Sequence, residues 1–439
     1  MAAASFTGLT MDEKKIRKRN AIFLLIEGSF FTAGVAFMDV NAVIPVFIYS
    51  YTNSTRLAGL ATTINLSASI IMQLLIGPYV KSIRNVPRYI TIVMFLFRPL
   101  MFLMLPLLLL DLNPWLIVGL FLFIYALIWC GDGLLMNPWT DLFSRTVEPE
   151  KRGTLLGYQQ LFGGIGALIA GFVVKSVMDH PMLDQGMRYA VIFGGAAVCL
   201  TCSSIAMAFC HDLPRPIPKE KQNPRQYYRS LPIYFRNHKA FKKVVLTRIF
   251  SITNQIIAPF VILFAQNQLG LQPDEVSTLI LIQMTGSLIG GVIWGRISRR
   301  YGNQRVILTS QIIGLLLALS LSVFSIASLR AVPAYFVWPL VLCNGMNMTS
   351  WIGFMNHTLD IVDDEERTIY LLISNVMTFP FTFLTFLSGL VVQHIGYLPI
   401  FLTSTLAAIL AVRQAARLGK QADFQDQSLY SRIRFRKWQ

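Results

Sequence analysis

Charge is scarce in this chain. Only 14% of its 439 residues are Asp, Glu, Lys or Arg, and 54% are apolar, whereas an ordinary soluble domain carries about 25% charged and about 45 to 50% apolar residues. That shortfall excludes a water-solvated surface over most of the chain and points to lipid as the solvent. Cysteine is sparse too. Cys130, Cys199, Cys202, Cys210 and Cys343 are odd in number and each lies in an apolar run, which argues against a secreted disulfide framework. Cys199 and Cys202 form a C-x-x-C with no second pair or histidine cluster beside it, so they read as two small buried residues rather than a metal or redox site. A Walker loop, a G-x-S-x-G elbow and an H-E-x-x-H helix are all missing, so neither an enzyme nor a resident cofactor or metal is expected. The net charge of +16 would suit nucleic acid only on a soluble basic face. Here the basic residues fall between apolar runs, and no nucleic-acid partner is expected.

What the chain does contain is apolar runs of membrane length. A bilayer core needs about 20 apolar residues per helix, because no backbone group can stay unpaired there. Twelve such runs are present, at 21–49, 57–80, 89–110, 115–137, 153–178, 189–210, 244–265, 275–294, 306–328, 334–355, 368–393 and 397–412. The first follows a polar, basic start and is too long for a signal-peptide core, so it reads as a span. The runs divide six and six. The intervening 212–243 stretch holds Pro214, Pro216, Pro218, Pro224, Pro232 and nine Lys or Arg, the composition of a cytosolic linker, ending in a short amphipathic segment at 227–241. The expected organisation is a six-helix bundle over 1–211, the linker 212–243, and a second bundle with a cytoplasmic tail over 244–439.

Most of the 38 Lys and Arg residues fall on the side of the N-terminus, so both chain ends are expected in the cytoplasm. The halves also match each other. Gly77-Pro78-Tyr79-Val80-Lys81-Ser82-Ile83-Arg84 follows the second run, and Gly295-Arg296-Ile297-Ser298-Arg299-Arg300-Tyr301-Gly302 follows the eighth. Met136-Asn137 with Asp141 recurs as Met355-Asn356 with Asp360, and Asn41 before Pro45 recurs as Asn254 before Pro259. Matched spacings across a six-plus-six pattern argue for a parallel internal repeat.

The run Gly295-x-x-x-x-Arg300-Tyr301-Gly302-x-x-Arg305 resembles the G-x-x-x-D-R-x-G-R-R/K signature of the major facilitator superfamily, and 254–306 reads like a bacterial permease of that type. The resemblance implies an all-α membrane protein of twelve transmembrane helices in two pseudo-symmetric six-helix bundles, working by alternating access. The sequence departs from the signature at its aspartate, which is Arg299 here and Lys81 in the first copy. In its place, a cytoplasmic gate is expected from Gly77, Lys81, Arg84, Gly295, Arg299, Arg300, Gly302 and Arg305, with cations pairing to Asp141, Asp360, Asp363 and Asp364. The competing reading is a solvated basic loop that only sets topology.

Charges inside spans are few: Glu27, Asp39, Asp132, Arg98, Lys175 and Arg248. Each costs about 2.5 to 3.5 kcal/mol at membrane depth, which makes each a functional candidate. At about 1.5 Å per residue, Glu27, Arg98 and Asp132 share a depth and form either a proton-exchanging cluster or a fixed bridge between spans one, three and four. Asp39 lacks a partner in the sequence and is the leading proton-coupling candidate. Asn41, Arg248, Asn254, Gln255, Asn344, Asn347 and Asn375 either line a substrate cavity or glue helices together. Glycines in spans five and eight, among them Gly163, Gly166, Gly286 and Gly290, suit close helix approach.

The expected function is a secondary active transporter in the plasma membrane, a monomer in the lipid bilayer, that moves a small molecule. Protons are the candidate coupling ion and efflux of amphipathic compounds the preferred direction, since few charges remain for a polar cargo. Uptake of a small polar solute, or a non-transporting assembly factor or receptor, are the alternatives.

Overall fold

The computed structural model describes residues 11–213, 224–326, 333–362 and 367–418, and every regular element among them is helical. Helices satisfy their own backbone groups, which is what hydrocarbon demands. Eleven helices are long and apolar enough to cross a membrane. The tenth expected crossing is split into two shorter helices, Trp338–Met348 and Trp351–Asp360, so the twelve apolar runs are accounted for.

The described chain forms two compact units. The first draws on Met1–Ser54, Ile64–Pro224 and Pro273–Met284, and the second on Thr55–Thr63, Arg225–Gln272 and Thr285–Gln439. Two helices are therefore shared out between units.

In the first unit, α1 (Met11–Phe37) starts ten residues before the apolar run does, because Lys, Arg and Glu are good helix formers and lipid is not needed to sustain the turn. The chain then breaks at 38–42 and resumes as α2 (Val43–Thr52). Next come α3 (Thr55–Ile76), of which the first nine residues belong to the second unit, and α4 (Val86–Phe97). Proline at 99 cannot donate to an α-helical ladder, and residues Arg98–Leu103 tighten into a 3-10 turn before α5 (Met104–Leu109). The unit continues through α6 (Pro114–Thr146), α7 (Pro149–Met178) and α8 (Gln185–Ala208). Its core packs Leu24 against Val86, Ile90, Met94, Leu135, Leu142 and Met207. Towards α2, the Phe47 ring meets Phe121, Tyr189 and Phe193 edge-on at 4.8 to 5.0 Å. Asn20 clamps the far end of α8 to α1, donating to His211 O at 2.7 Å and accepting from His211 N at 2.9 Å.

The second unit opens with α9 (Pro224–Asn237), the amphipathic linker segment, which ends four residues earlier than the sequence suggests. Tyr234 packs edge-on against Tyr370 and Phe235 against Phe241, so α9 is docked on the bundle. It is followed by α10 (Lys239–Asn254), a 3-10 turn over Gln255–Phe260 containing Pro259, and α11 (Val261–Gln268). Then come α12 (Pro273–Tyr301), whose first twelve residues belong to the first unit, α13 (Asn303–Ile326), α14 (Trp338–Met348), α15 (Trp351–Asp360), α16 (Arg367–His394) and α17 (Leu398–Ala415). Large apolar side chains such as Leu96, Phe123, Leu316 and Leu406 lie exposed on the helices, a surface that lipid covers.

Gly302 takes φ +87 between α12 and α13, and its N–H returns to Ser298 O at 3.0 Å. This left-handed turn is what the signature glycine supplies, because any Cβ would strain it. Among the small residues of the helices, Gly163 and Gly166 meet Thr32 and Ala33 of α1, while Gly286 and Gly290 meet Leu342 and Met346 of α14.

Candidate functional site

The first unit brings the in-span charges of α1, the α4 end and α6 together. Arg98, at the junction where α4 tightens, places Nη1 3.3 Å from Glu27 Oε1 and Nη2 3.6 Å from Asp132 Oδ1. Its Nη1 also donates to Ser203 Oγ of α8 at 2.6 Å. The Ser203 hydroxyl in turn stands 2.9 Å from Glu27 O and 3.2 Å from Oε1, and gives its one proton to that residue. Trp139 Nε1 donates to Glu27 Oε2 at 3.1 Å, and the Arg98 guanidinium lies 4.6 Å from the centre of the Phe31 ring. Glu27 is followed by Gly28, and the reason is packing: a Cβ there would collide with the Gln159 amide, which donates to Leu24 O.

The two carboxylates are not equivalent. Glu27 is 4% exposed and holds bonds from Arg98, Ser203 and Trp139, whereas Asp132 is 23% exposed and held only by its longer contact to Arg98. Geometry therefore makes Glu27 the fixed anchor and Asp132 the carboxylate with room to change. The depth match of the three charges was readable in sequence. Ser203, Trp139 and Gln159 were not, because no spacing distinguishes them from the many other polar residues of the spans.

Asp39 lies in the break between α1 and α2. Its Oδ1 accepts from Asn41 N at 2.9 Å, and its O accepts from Ile44 N at 3.0 Å, so it closes the turn that starts α2. Gln283 of α12 donates to the same Oδ1 at 3.3 Å, a partner the sequence did not reveal. Asn41 is buried beside it.

The polar candidates of the second unit separate into two groups. Asn254, Asn344 and Asn347 are buried and spent on neighbouring helices: Ser404 donates to Asn254 Oδ1 at 2.8 Å, Asn344 donates to Ala258 O at 3.1 Å, and the Asn347 amide bridges Ser310 O and Gly314 N. Arg248 and Asn375 form the other group, with Nη2 donating to Asn375 Oδ1 at 2.9 Å and Nη1 to Ser374 Oγ at 2.7 Å. Gln255 is half-buried at the start of the 3-10 turn.

Among the described residues, no ion pair joins Arg84, Arg299 or Arg300 to Asp141 or Asp360. Asp141 pairs with Arg145 one turn along α6 at 3.0 Å, and Arg145 reaches Asp212 at 3.2 Å, leaving Arg84 exposed and unpaired with Asp141. Local i,i+4 pairing wins because both residues are already aligned on one helix face. Asp360 accepts from Asn303 Nδ2 at 2.7 Å instead of from Arg299 or Arg300; Arg299 bonds back to Gly295 O, and Arg300 stacks on Tyr301. Gly77 opens a 3-10 turn and Arg305 N caps onto Gly302 O. The side chain of Lys81, and Asp363 and Asp364, lie outside the described residues.

The family model for the Major Facilitator Superfamily matches residues 7–171 and again 244–418, one match in each half. Among solved structures, the chain is similar to a D-xylose–proton symporter, at 14% identity over 92% of this chain and 98% of that one, with a TM-score of 0.68. It is similar to FucP, a transporter of the same superfamily in an outward conformation, at 15% identity over 91% and 98% with a TM-score of 0.61. A bacterial homolog of the human lysosomal transporter Spinster, inward-facing and unoccupied, aligns at 13% identity over 93% and 96% with a TM-score of 0.57. No curated protein sequence matches the chain.

Proposed function

The chain belongs to the major facilitator superfamily and is a membrane transporter rather than an enzyme; on that premise we propose that it is a proton-coupled secondary transporter of a small amphipathic solute, working by alternating access. The observation that carries this reading is the unequal pair of carboxylates around Arg98. Burial disfavours a carboxylate and a nearby cation favours it. Glu27, almost fully buried, holds the cation and is itself held by Trp139 and Ser203. Asp132 shares the cation at 3.6 Å and is the more accessible, so protonation there releases one contact without dismantling the cluster. In this scheme Asp132 takes up and releases the proton, Arg98 responds to its charge, and Glu27 holds Arg98 in place.

An amphipathic solute is favoured over a polyhydroxylated one because Asn254, Asn344 and Asn347 are already committed to helix contacts, which leaves few side chains to recognise many hydroxyls. Export of that solute across the plasma membrane is part of the proposal. Asp39 is assigned to the turn at 38–42 rather than to the proton path, since its carboxylate is occupied with Asn41 N and Gln283.

The test is proteoliposome flux with a trapped pH reporter and a panel of naphthalene derivatives of different charge, against protein-free vesicles. Wild type should move protons when a transported solute is added, and the sign of the pH change gives the direction. Asp132→Asn should exchange solute without moving protons. Proton movement by Asp132→Asn at the wild-type rate would refute the assignment.

A further inference from the structure

Three cations lie inside the apolar runs, and two of them have carboxylate partners. Arg98 has Glu27 and Asp132, and Lys175 Nζ sits 2.6 Å from Asp179 Oδ2. Arg248 has none: among the described residues no carboxylate lies within 4.0 Å of it. Its two bonds, to Ser374 Oγ and Asn375 Oδ1, go to neutral oxygens. These orient the guanidinium without cancelling its charge.

The side chain is also turned away from the exposed side of its helix. On α10 the exposed stripe is Lys239, Lys243 and Leu246, and at about 100° per residue Arg248 stands about 140 to 180° round the helix from each of them. A guanidinium carries five N–H donors, and Ser374 and Asn375 take two. Nε takes no bond and is not among the buried atoms left without a partner, so at least one further donor faces accessible space. An oriented cation with no carboxylate partner among the described residues and an accessible planar donor matches the flat, two-oxygen edge of an oxoanion.

We propose that Arg248, held by Ser374 and Asn375, is the subsite for the anionic head of the solute, which is therefore an amphipathic organic acid bearing a carboxylate or sulfonate. The bound anion supplies a charge that no described carboxylate supplies within 4.0 Å. This assignment rests on the chain being a solute transporter, and not on Asp132 being the proton site.

Binding of naphthalene-2-sulfonate and naphthalene-2-acetate to purified protein, read by tryptophan fluorescence and by the thermal midpoint, tests it. Naphthalene-2-methanol and naphthalene-2-methylammonium serve as the neutral and cationic counterparts. At least one anion should bind saturably and raise the midpoint, and neither counterpart should match it. Arg248→Gln should weaken that anion at least tenfold, and Arg248→Lys less. Asn375→Asp, which places a carboxylate beside the guanidinium, should weaken it at least tenfold while raising the midpoint of the unliganded protein; this variant keeps the test sound where Arg248→Gln folds poorly. No saturable anion, a cation bound as tightly, or unchanged affinity in Asn375→Asp each overturns the proposal. Asp132→Asn should still bind the anion saturably. If it does and still couples protons, the proton reading fails and the anion subsite stands. If it loses coupling while the Arg248 and Asn375 variants bind as wild type does, the reverse holds.

Discussion

Replacing Arg98 by Met removes the one cation that Glu27 and Asp132 share and keeps the length and apolar stem of the side chain. What remains is a Glu27 carboxylate 4% exposed, with the Trp139 N–H at 3.1 Å and the Ser203 hydroxyl as its only donors. Breaking a buried pair by removing one partner costs about 3 to 5 kcal/mol, mostly because the surviving charge is stranded. Asp132, at 23% exposure, can shed its charge more readily, so the bulk of the loss falls on Glu27. Converting Glu27 to Gln in the same background removes the stranded charge, and the double variant Glu27→Gln/Arg98→Met should recover more than half of what Arg98→Met loses. Ser203→Ala removes its bonds to the Arg98 guanidinium and to Glu27 but strands no charge, and should cost about 1.5 to 3 kcal/mol, the range for a hydrogen bond to a charged group. The assay is equilibrium unfolding in mixed micelles, followed by tryptophan fluorescence, for the wild type and the three charge variants. If the two single losses add to the double loss within about 0.5 kcal/mol, the residues are energetically independent, and the cluster as described does not exist in the working protein.

Asp39→Asn should leave both stability and flux near wild type, since asparagine also closes turns of this kind, while Asp39→Ala should lower the thermal midpoint; loss of flux in a well-folded Asp39→Asn would return the residue to the proton path. Gly302→Ala should cost about 1 to 2 kcal/mol in the same unfolding assay, because φ +87 is a left-handed conformation that L side chains resist. Arg145→Ala releases Asp141, Asp212 and the Leu213 carbonyl at once and should destabilise the first unit by about 1 to 2 kcal/mol, with the loss shrinking in high salt as a partly exposed charge network requires.

Much of the architecture is legible because hydrocarbon tolerates so few solutions. Run length sets the crossings, and the repeat of Met136-Asn137 and Met355-Asn356 betrays the doubling. Interruptions are harder to read. The break at 38–42 falls inside a membrane-length run, with Asp39, Asn41 and Pro45 to hint at it, and the split of the tenth crossing rests on the short polar pair Thr349-Ser350. At the site, depth alone united Glu27, Arg98 and Asp132, since a charge in lipid has few places to go. The neutral partners Ser203, Trp139 and Gln283 escaped because hydroxyls, indoles and amides are cheap enough in a span to occur without purpose. Asp141 was assigned to distant cations, and among the described residues a nearer partner, Arg145, stands one turn away.

The bond between α1 and α8 also carries a timetable. Glu27 leaves the ribosome 71 residues ahead of Arg98 and 176 ahead of Ser203. At about 5 to 20 residues per second of synthesis, the first helix waits roughly 4 to 14 s for its cation and roughly 10 to 35 s for the last of these partners. Until Arg98 arrives it must be harboured by the insertion machinery or keep its carboxylate protonated. A nascent chain arrested before Arg98 presents quality control with an acid inside the bilayer that nothing yet holds, and one arrested before Ser203 still lacks the bond from α8 to α1.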